Sequence, residues 1–181
     1  MEEYRRIART LVKKGSILDY YQDTIQVPNG NTALWDFIDH HGAAGVIAVR
    51  NDGKLIMVKQ YRNALDRYTV EIPAGGLDGD EPTDIAAARE LREETGYVAG
   101  RIEPLLSINT TVAFCNEKID IYLATELTKG VQDLDEDEYV DIAAYDLDTL
   151  LDMIDRSEIM DSKTVCAILK YAAIYNKKNN I

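Results

Sequence analysis

Hydrophobic and polar positions alternate with a period of two along several parts of this chain, the pattern of strands with one buried face. Segments 17–27 and 34–38 alternate in this way and are split by Pro28-Asn29-Gly30-Asn31, where Asn-Gly is a hairpin signal. Segments 45–49 and 55–60 form a second antiparallel pair around Asn51-Asp52-Gly53. Further strands are predicted at 103–109, 118–124 and 139–145. Helical spacing occurs in two places. Pro82 followed by Ile85-Ala86-Ala87-Ala88 reads as a helix start and a run of good helix formers, with Ala87, Ala88 and Leu91 facing the core. Gly96 ends that helix, because a glycine carries no steric cost in the left-handed conformation. Asp161-Ser162 opens an amphipathic run whose buried stripe is Val165, Ile168, Leu169, Ala172 and Ile174, with 176–181 frayed. The residues before 17 are polar and basic and receive no element. No internal repeat or low-complexity linker interrupts the pattern.

Composition adds limits to this picture. A chain of 181 residues with 46% hydrophobic content is long enough to bury a core, and one compact soluble domain is expected. The net charge of -12 and pI near 4.6 argue against nucleic acid or an anionic membrane as partner, since attraction to phosphates at a distance needs Lys and Arg. Any substrate phosphate must be met locally. Cys115 and Cys166 are the two cysteines, and no apolar N-terminal segment precedes the first strands, so a reducing cytoplasm is expected.

The predicted central helix carries an unusual charge pattern. Glu90, Glu93 and Glu94 fall on one helix face, where residues three and four apart are neighbours, so the three carboxylates repel one another unless a cation lies between them. A solvated surface helix would interleave Lys with Glu, whereas only Arg89 and Arg92 stand beside these three. A hard divalent ion suits oxygen ligands, and Mg²⁺ takes one or two protein carboxylates and leaves its other positions to water and phosphate.

The full series runs from Gly75 through Glu81 to Arg89-Glu90-Leu91-Arg92-Glu93-Glu94-Thr95-Gly96-Tyr97, and at this spacing it resembles the signature box of the Nudix hydrolases. The resemblance implies an α/β fold, a Nudix α/β/α sandwich with a mixed sheet. It extends over 24–43, Lys59-Gln60-Tyr61-Arg62, Glu71-Ile72-Pro73-Ala74-Gly75 and 117–124, which are similar to the ADP-ribose pyrophosphatase branch. In that branch a small N-terminal antiparallel sheet is exchanged between subunits. The implied organisation is a β subdomain at 1–42, a Nudix hydrolase domain at 43–181 and a homodimer; an isolated two-strand ribbon is marginal in water. The resemblance also implies metal-dependent hydrolysis of ADP-ribose, or of a related nucleoside diphosphate sugar, with Mg²⁺ or Mn²⁺. Glu90, Glu94 and the carbonyl of Ala74 become the metal ligands, and Glu93 assists. Glu81 and Arg89 become an ion pair that orients the loop against the helix, with Gly75 and Gly96 as the structural glycines. Arg62, Glu71 and Trp35 become substrate contacts. A guanidinium holds phosphate in bidentate fashion, although Arg62 also reads as a surface arginine, and Trp35 as a hairpin or dimer-interface anchor instead of a base-stacking residue.

A second acidic run, Asp133-Leu134-Asp135-Glu136-Asp137-Glu138, has three readings. Related enzymes bring a loop glutamate to the metal site to activate water, and Glu138 fits that placement first, Glu136 second. A calcium-binding EF-hand start fails, because Glu138 stands where glycine is needed and Ala144 where the bidentate glutamate is needed. A solvated acidic loop is the third. His40 and His41 do not make a metal pair, since neighbours on a strand point to opposite faces. Three positions depart from the family pattern: Val112 and Ala113 stand where proline and glycine are usual, and Tyr97 replaces an aliphatic residue. The altered loop bears on which nucleotide sugar is accepted. A Nudix-fold sensor that binds such a ligand without turning it over is the competing function, and the intact carboxylates favour the enzyme.

Overall fold

The basic N-terminal stretch is a strand. In the computed structural model, which describes residues 3–134, 136 and 138–179, β1 (Arg5–Lys14) pairs antiparallel with β2 (Leu18–Gln26), and β2 with β3 (Thr32–His40). Sequence reasoning missed β1 because its charges masked the alternation. Those charges find cross-strand partners, which stabilise a sheet. Arg9 lies opposite Asp23, donates to both of its carboxylate oxygens at 2.7 Å, and stacks 3.5 Å from the Phe37 ring centroid. The Asn29-Gly30 turn closes the next hairpin, with Gly30 at φ 88°.

Contacts divide the chain into two compact units: Met1–Gly42 with Asn109–Lys118, and Ala43–Ile108 with Ile119–Ile181. In the first unit, the segment 109–118 is stitched to the end of β3. Ile38 donates its N–H to the Phe114 carbonyl at 2.7 Å, and the His40 N–H donates to Asn116 Oδ1 at 2.8 Å.

The second unit contains β4 (Ala43–Val49), β5 (Leu55–Arg62), β6 (Arg67–Glu71), β7 (Ala74–Gly76), α1 (Thr83–Thr95), β8 (Tyr97–Asn109), β9 (Lys118–Lys129), β10 (Asp141–Tyr145), α2 (Leu147–Asp155) and α3 (Ser162–Asn179). Among the described residues these strands make one seven-stranded sheet in the order β10-β5-β4-β9-β8, with β6 on β5 and β7 on β4. β4 runs parallel to β9 and antiparallel to β5, so the sheet is mixed.

Its opening positions the site. β4 pairs with β5 only at Ala48 and Val49, then pairs with β7 at 43–45, while β6 takes over the same edge of β5 at 58–62. The segment 71–74 that joins β6 to β7 therefore bridges the parted strands. The Val46 N–H donates to the Pro73 carbonyl at 3.0 Å and holds it there.

Successive residues of β4 face opposite layers, as a pleated strand requires. Ala44, Val46 and Ala48 pack with Ala86, Ala87 and Leu91 of α1, whereas Ala43 and Ile47 pack with Leu150 of α2 and Ile168 and Tyr171 of α3. This is the implied α/β/α sandwich. Leu91 is fully buried, and its truncation to Ala would cost about 2–5 kcal/mol.

Several predicted details shift. Ala86, not Ala88, is fully buried on α1, because the helix begins one residue after Pro82, whose carbonyl accepts the Ala86 N–H at 3.0 Å. On α3 Leu169 is exposed, and the buried stripe is Thr164, Ala167, Ile168, Tyr171 and Ala172. α2, β6 and β7 carried no prediction. They are short, and propensity alone rarely fixes elements whose form depends on their neighbours.

Candidate active site

The glycine loop and the helix of clustered carboxylates meet where β7 passes the last two turns of α1. Gly75 lies beneath the Glu90 carboxylate: a Cβ there would stand 2.2 Å from Glu90 Oε1, so a larger residue would displace that carboxylate from its place. One residue earlier, the Ala74 N–H donates to Glu94 Oε2 at 3.0 Å. Gly96 ends α1 at φ 70°, with its N–H bonded to the Arg92 carbonyl.

Arg89 is the hub of the helix face. Its Nε and Nη2 donate to the Glu81 carboxylate at 3.1 and 3.0 Å, its Nη1 to Glu90 Oε1 at 2.7 Å and to Glu93 Oε2 at 2.9 Å, and its Nη2 also to the Gly76 carbonyl at 3.0 Å. One guanidinium thus fastens the loop to the helix and supplies positive charge to two of the three clustered carboxylates. Glu93 also accepts from Arg92 at 3.0 Å.

Glu94 receives no such help. It is 4% exposed, and the Ala74 N–H is its hydrogen-bond donor. Burial, and then the charge of Glu90, push its carboxyl up to about 8. Burial also raises Glu90, against the opposing pull of Arg89. The negative charge of Glu138 raises both carboxyls, which places that exposed loop residue within electrostatic reach of the pair. Glu136 is exposed as well. Asp135 and Asp137, on either side of it, lie outside the described residues.

The loop carrying Glu138 is tied to the end of α1. Gln132 Nε2 donates to the Glu94 carbonyl at 2.7 Å and to the Val140 carbonyl at 3.2 Å, and the Asp133 N–H donates to the Glu93 carbonyl at 2.9 Å. These bonds satisfy carbonyls that a helix end leaves without partners. Sequence reasoning did not find Gln132, and nothing local distinguishes it.

Arg62, at the end of β5, grips Glu71 through Nε at 2.8 Å and Nη2 at 2.6 Å, while its side chain stays 40% exposed. Its charge lowers the Glu94 carboxyl. Glu71, expected to contact substrate, is instead turned inward. It is 1% exposed and accepts from Arg62, from Thr69 Oγ1 at 2.6 Å and from Lys163. Burial alone would raise it, yet the hydrogen bonds from Arg62 and the charge of Lys163 hold it at about 2. A carboxylate so surrounded has no oxygen left for a ligand. Trp35 belongs to the first unit, where it borders a groove with Tyr20, Leu34, Asp36, Ile38 and Phe114 and stays 48% exposed.

The donor set fits a hard divalent cation. Two half-buried or buried carboxylates on one helix, both raised chiefly by burial, lie beside a backbone turn, and Mg²⁺ commonly uses such a pair with water and phosphate completing its shell. Among the described residues no three His, Cys, Asp or Glu side chains converge closely enough to hold an ion without such help. No helix there is long and apolar enough to cross a membrane.

Known proteins resemble this chain. The chain is 38% identical over 168 residues to the ADP-ribose pyrophosphatase of Bacillus subtilis (strain 168), covering 92% of this chain and 91% of the relative. It is 40% identical over 168 residues to the methanol dehydrogenase activator of Bacillus methanolicus, with the same coverage. A crystal structure of an ADP compounds hydrolase superposes with a TM-score of 0.88 over 100% of this chain and 98% of that one, at 19% identity, a likeness of fold. Residues 39–164, which hold the glycine loop, the helix of carboxylates and the first turn of α3, match the NUDIX domain, and the chain belongs to the Nudix hydrolase family.

Proposed function

We propose that this protein hydrolyses the pyrophosphate of ADP-ribose, giving AMP and ribose 5-phosphate, or cleaves a closely related nucleoside diphosphate sugar. The buried Glu94 beside Glu90, raised by burial and offset only in part by Ala74 and Arg62, carries this reading, because a folded chain keeps such a carboxylate at a cost and such groups cluster at functional sites. The names of the relatives from Bacillus subtilis and from Mycobacterium tuberculosis, both ADP-ribose pyrophosphatases, support the substrate.

In this reading Glu90, Glu94 and the Ala74 carbonyl hold Mg²⁺, or Mn²⁺ in its place, which neutralises pyrophosphate oxygens when bound. The residues of the chain do the rest. Arg62 turns its exposed edge to a phosphate, with Glu71 fixing the guanidinium from behind. Glu138, or Glu136 as the second candidate, accepts the proton of the attacking water, and Glu93 keeps Arg89 and Arg92 in register. Water adds its oxygen to one phosphorus, and the P–O bond to the other phosphate breaks. Trp35 stacks on the base. The N-terminal β unit serves as a dimerisation element exchanged between subunits of a homodimer, and the protein works in the cytoplasm. The Val112-Ala113 loop tunes which sugar is accepted.

Product analysis on ADP-ribose, other nucleoside diphosphate sugars, dinucleoside polyphosphates and nucleoside triphosphates, with Mg²⁺ and with chelator, tests this. AMP from ADP-ribose only with metal is the expected result. Preference for another compound moves the substrate and keeps the chemistry. The methanol dehydrogenase activator, named for its action on another enzyme, favours a second reading in which nucleotide binding serves a protein partner. Tight binding of ADP-ribose without turnover of any compound would select it.

A further inference from the structure

Lys163 is the buried ionisable group that the chemistry above leaves without a task. It is the second residue of α3, in the first turn, where the helix dipole disfavours a cation, and it is 9% exposed. Lysine is almost never this buried unless it is paired. Its Nζ donates to Glu71 Oε2 and, at 3.0 Å, to Asp161 Oδ2. Asp161 Oδ2 also accepts the Thr164 N–H at 3.0 Å, and Thr164 Oγ1 accepts the Ile72 N–H at 3.0 Å. The first turn of α3 is thereby fastened to Glu71 and Ile72, the start of the segment that bridges β4 and β5 and leads to Ala74.

The charges of this cluster balance: Arg62 and Lys163 share the Glu71 carboxylate, and Asp161 takes the other side of Lys163. What Lys163 adds is geometry. It approaches Glu71 from the buried side and donates to the same carboxylate oxygen, Oε2, that accepts from Arg62 Nη2. A bidentate bond also transmits orientation, because the guanidinium plane follows the plane of the carboxylate that grips it.

We propose that Lys163 is a positioning residue for pyrophosphate cleavage: by fixing Glu71 from the core side, it sets the plane of the guanidinium that Arg62 presents to the substrate phosphate. This rests on the phosphate-binding assignment of Arg62. Lys163 touches no substrate itself. Its removal leaves the Arg62–Glu71 pair free to turn.

The test uses Lys163→Met, Lys163→Gln and Lys163→Arg in the full chain, with whichever nucleotide of the panel the wild type cleaves. For Lys163→Met, KM rises roughly tenfold while kcat stays within about threefold, as expected when ground-state and transition-state binding are lost equally. Lys163→Arg restores most of the loss, and Lys163→Gln lies between. In an Arg62→Ala background the Met substitution adds nothing further to KM. A purely structural role would lower the melting temperature and the active fraction without moving KM. The Arg62 Nε–H resonance gives a readout that needs no turnover: its exchange with solvent, slowed by the bond to Glu71, accelerates in Lys163→Met. A folded Lys163→Met with wild-type KM and wild-type Arg62 exchange overturns the proposal, as does a KM effect fully additive with Arg62→Ala. If the wild type cleaves nothing, the substrate reading fails, and the Arg62 resonance still decides the role of Lys163. If the Met variant does not fold, the Gln and Arg variants report the same two quantities.

Discussion

Glu71 is 1% exposed and Glu94 4%, yet the first carboxyl is held at about 2 and the second is pushed up to about 8. Burial is the largest influence on both, and it acts in the same direction. What differs is company. Glu71 has a guanidinium, an ammonium and a hydroxyl within hydrogen-bonding distance, all supplied by this chain. Glu94 has a backbone N–H and the negative charges of Glu90 and Glu138 nearby, against which the charge of Arg62 is the smaller influence. A buried charge compensated from within is part of the scaffold, and one left for an outside cation to compensate belongs to the chemistry.

Glu94→Gln tests the functional half most severely. Turnover should fall at least ~10³-fold, about 4 kcal/mol of transition-state stabilisation. The urea midpoint of the metal-free variant at pH 8 should match or exceed the wild type, because the substitution removes an uncompensated charge. Unchanged turnover would end the assignment of Glu94 as a ligand.

Glu71→Gln should do the reverse. Arg62 and Lys163 would lose their shared counter-charge in the interior, and breaking a buried pair costs about 3–5 kcal/mol. Chemical denaturation measures this, and a loss below ~1 kcal/mol would mean that Glu71 is not a scaffold charge.

The two groups should also bend stability against pH in opposite senses. The Glu94 carboxyl lies above its unfolded value, so the folded metal-free protein holds that proton more tightly. Its contribution is fully favourable below about pH 4.5 and is lost as pH rises towards about 8. Glu71 lies below its unfolded value, so its contribution is present above about pH 4.5 and is lost as pH falls towards about 2. The swing is worth roughly 3 kcal/mol for Glu71 and roughly 5 kcal/mol for Glu94. Saturating Mg²⁺ should flatten the alkaline limb and leave the acid limb unchanged in urea titrations across pH.

Gly75→Ala should sharpen the comparison with the smallest change. The added Cβ pushes the Glu90 carboxylate away from β7, and kcat/KM should drop by roughly 10–100-fold while stability shifts by about 1 kcal/mol. Equal activity would show that Glu90 tolerates displacement.

The functional half of this contrast was legible in sequence, and the scaffold half was not. Helical spacing alone puts Glu90, Glu93 and Glu94 on one face, and the crowding of like charge there demands a counter-charge. Sequence could not show that Arg89 already serves two of the three, since its reach depends on where the loop at Gly76 and Glu81 comes to rest. The resemblance of Glu71-Ile72-Pro73-Ala74-Gly75 to its family counterpart makes Glu71 a substrate contact by implication. Its inward turn follows from its place on β6, opposite Val58, and from a lysine 92 residues away. One local signal did exist: a lysine in the first turn of a helix opposes the dipole and calls for another partner. β1 was missed for a related reason, since Arg9 reads as solvated until Asp23 and Phe37 are brought beside it.

The assignment of Asn109–Lys118 to the same unit as Met1–Gly42 has an evolutionary consequence. The N-terminal sheet is not a module that recombination could exchange at a single crossover. A gene fused at Gly42 to a foreign sheet would keep the ten-residue loop and lose Asp39, which accepts from Asn116 Nδ2 at 2.6 Å. Backbone bonds such as that from Ile38 to Phe114 could form with any strand, so Asp39 and Asn116 are the pair expected to change together across descendants of this chain.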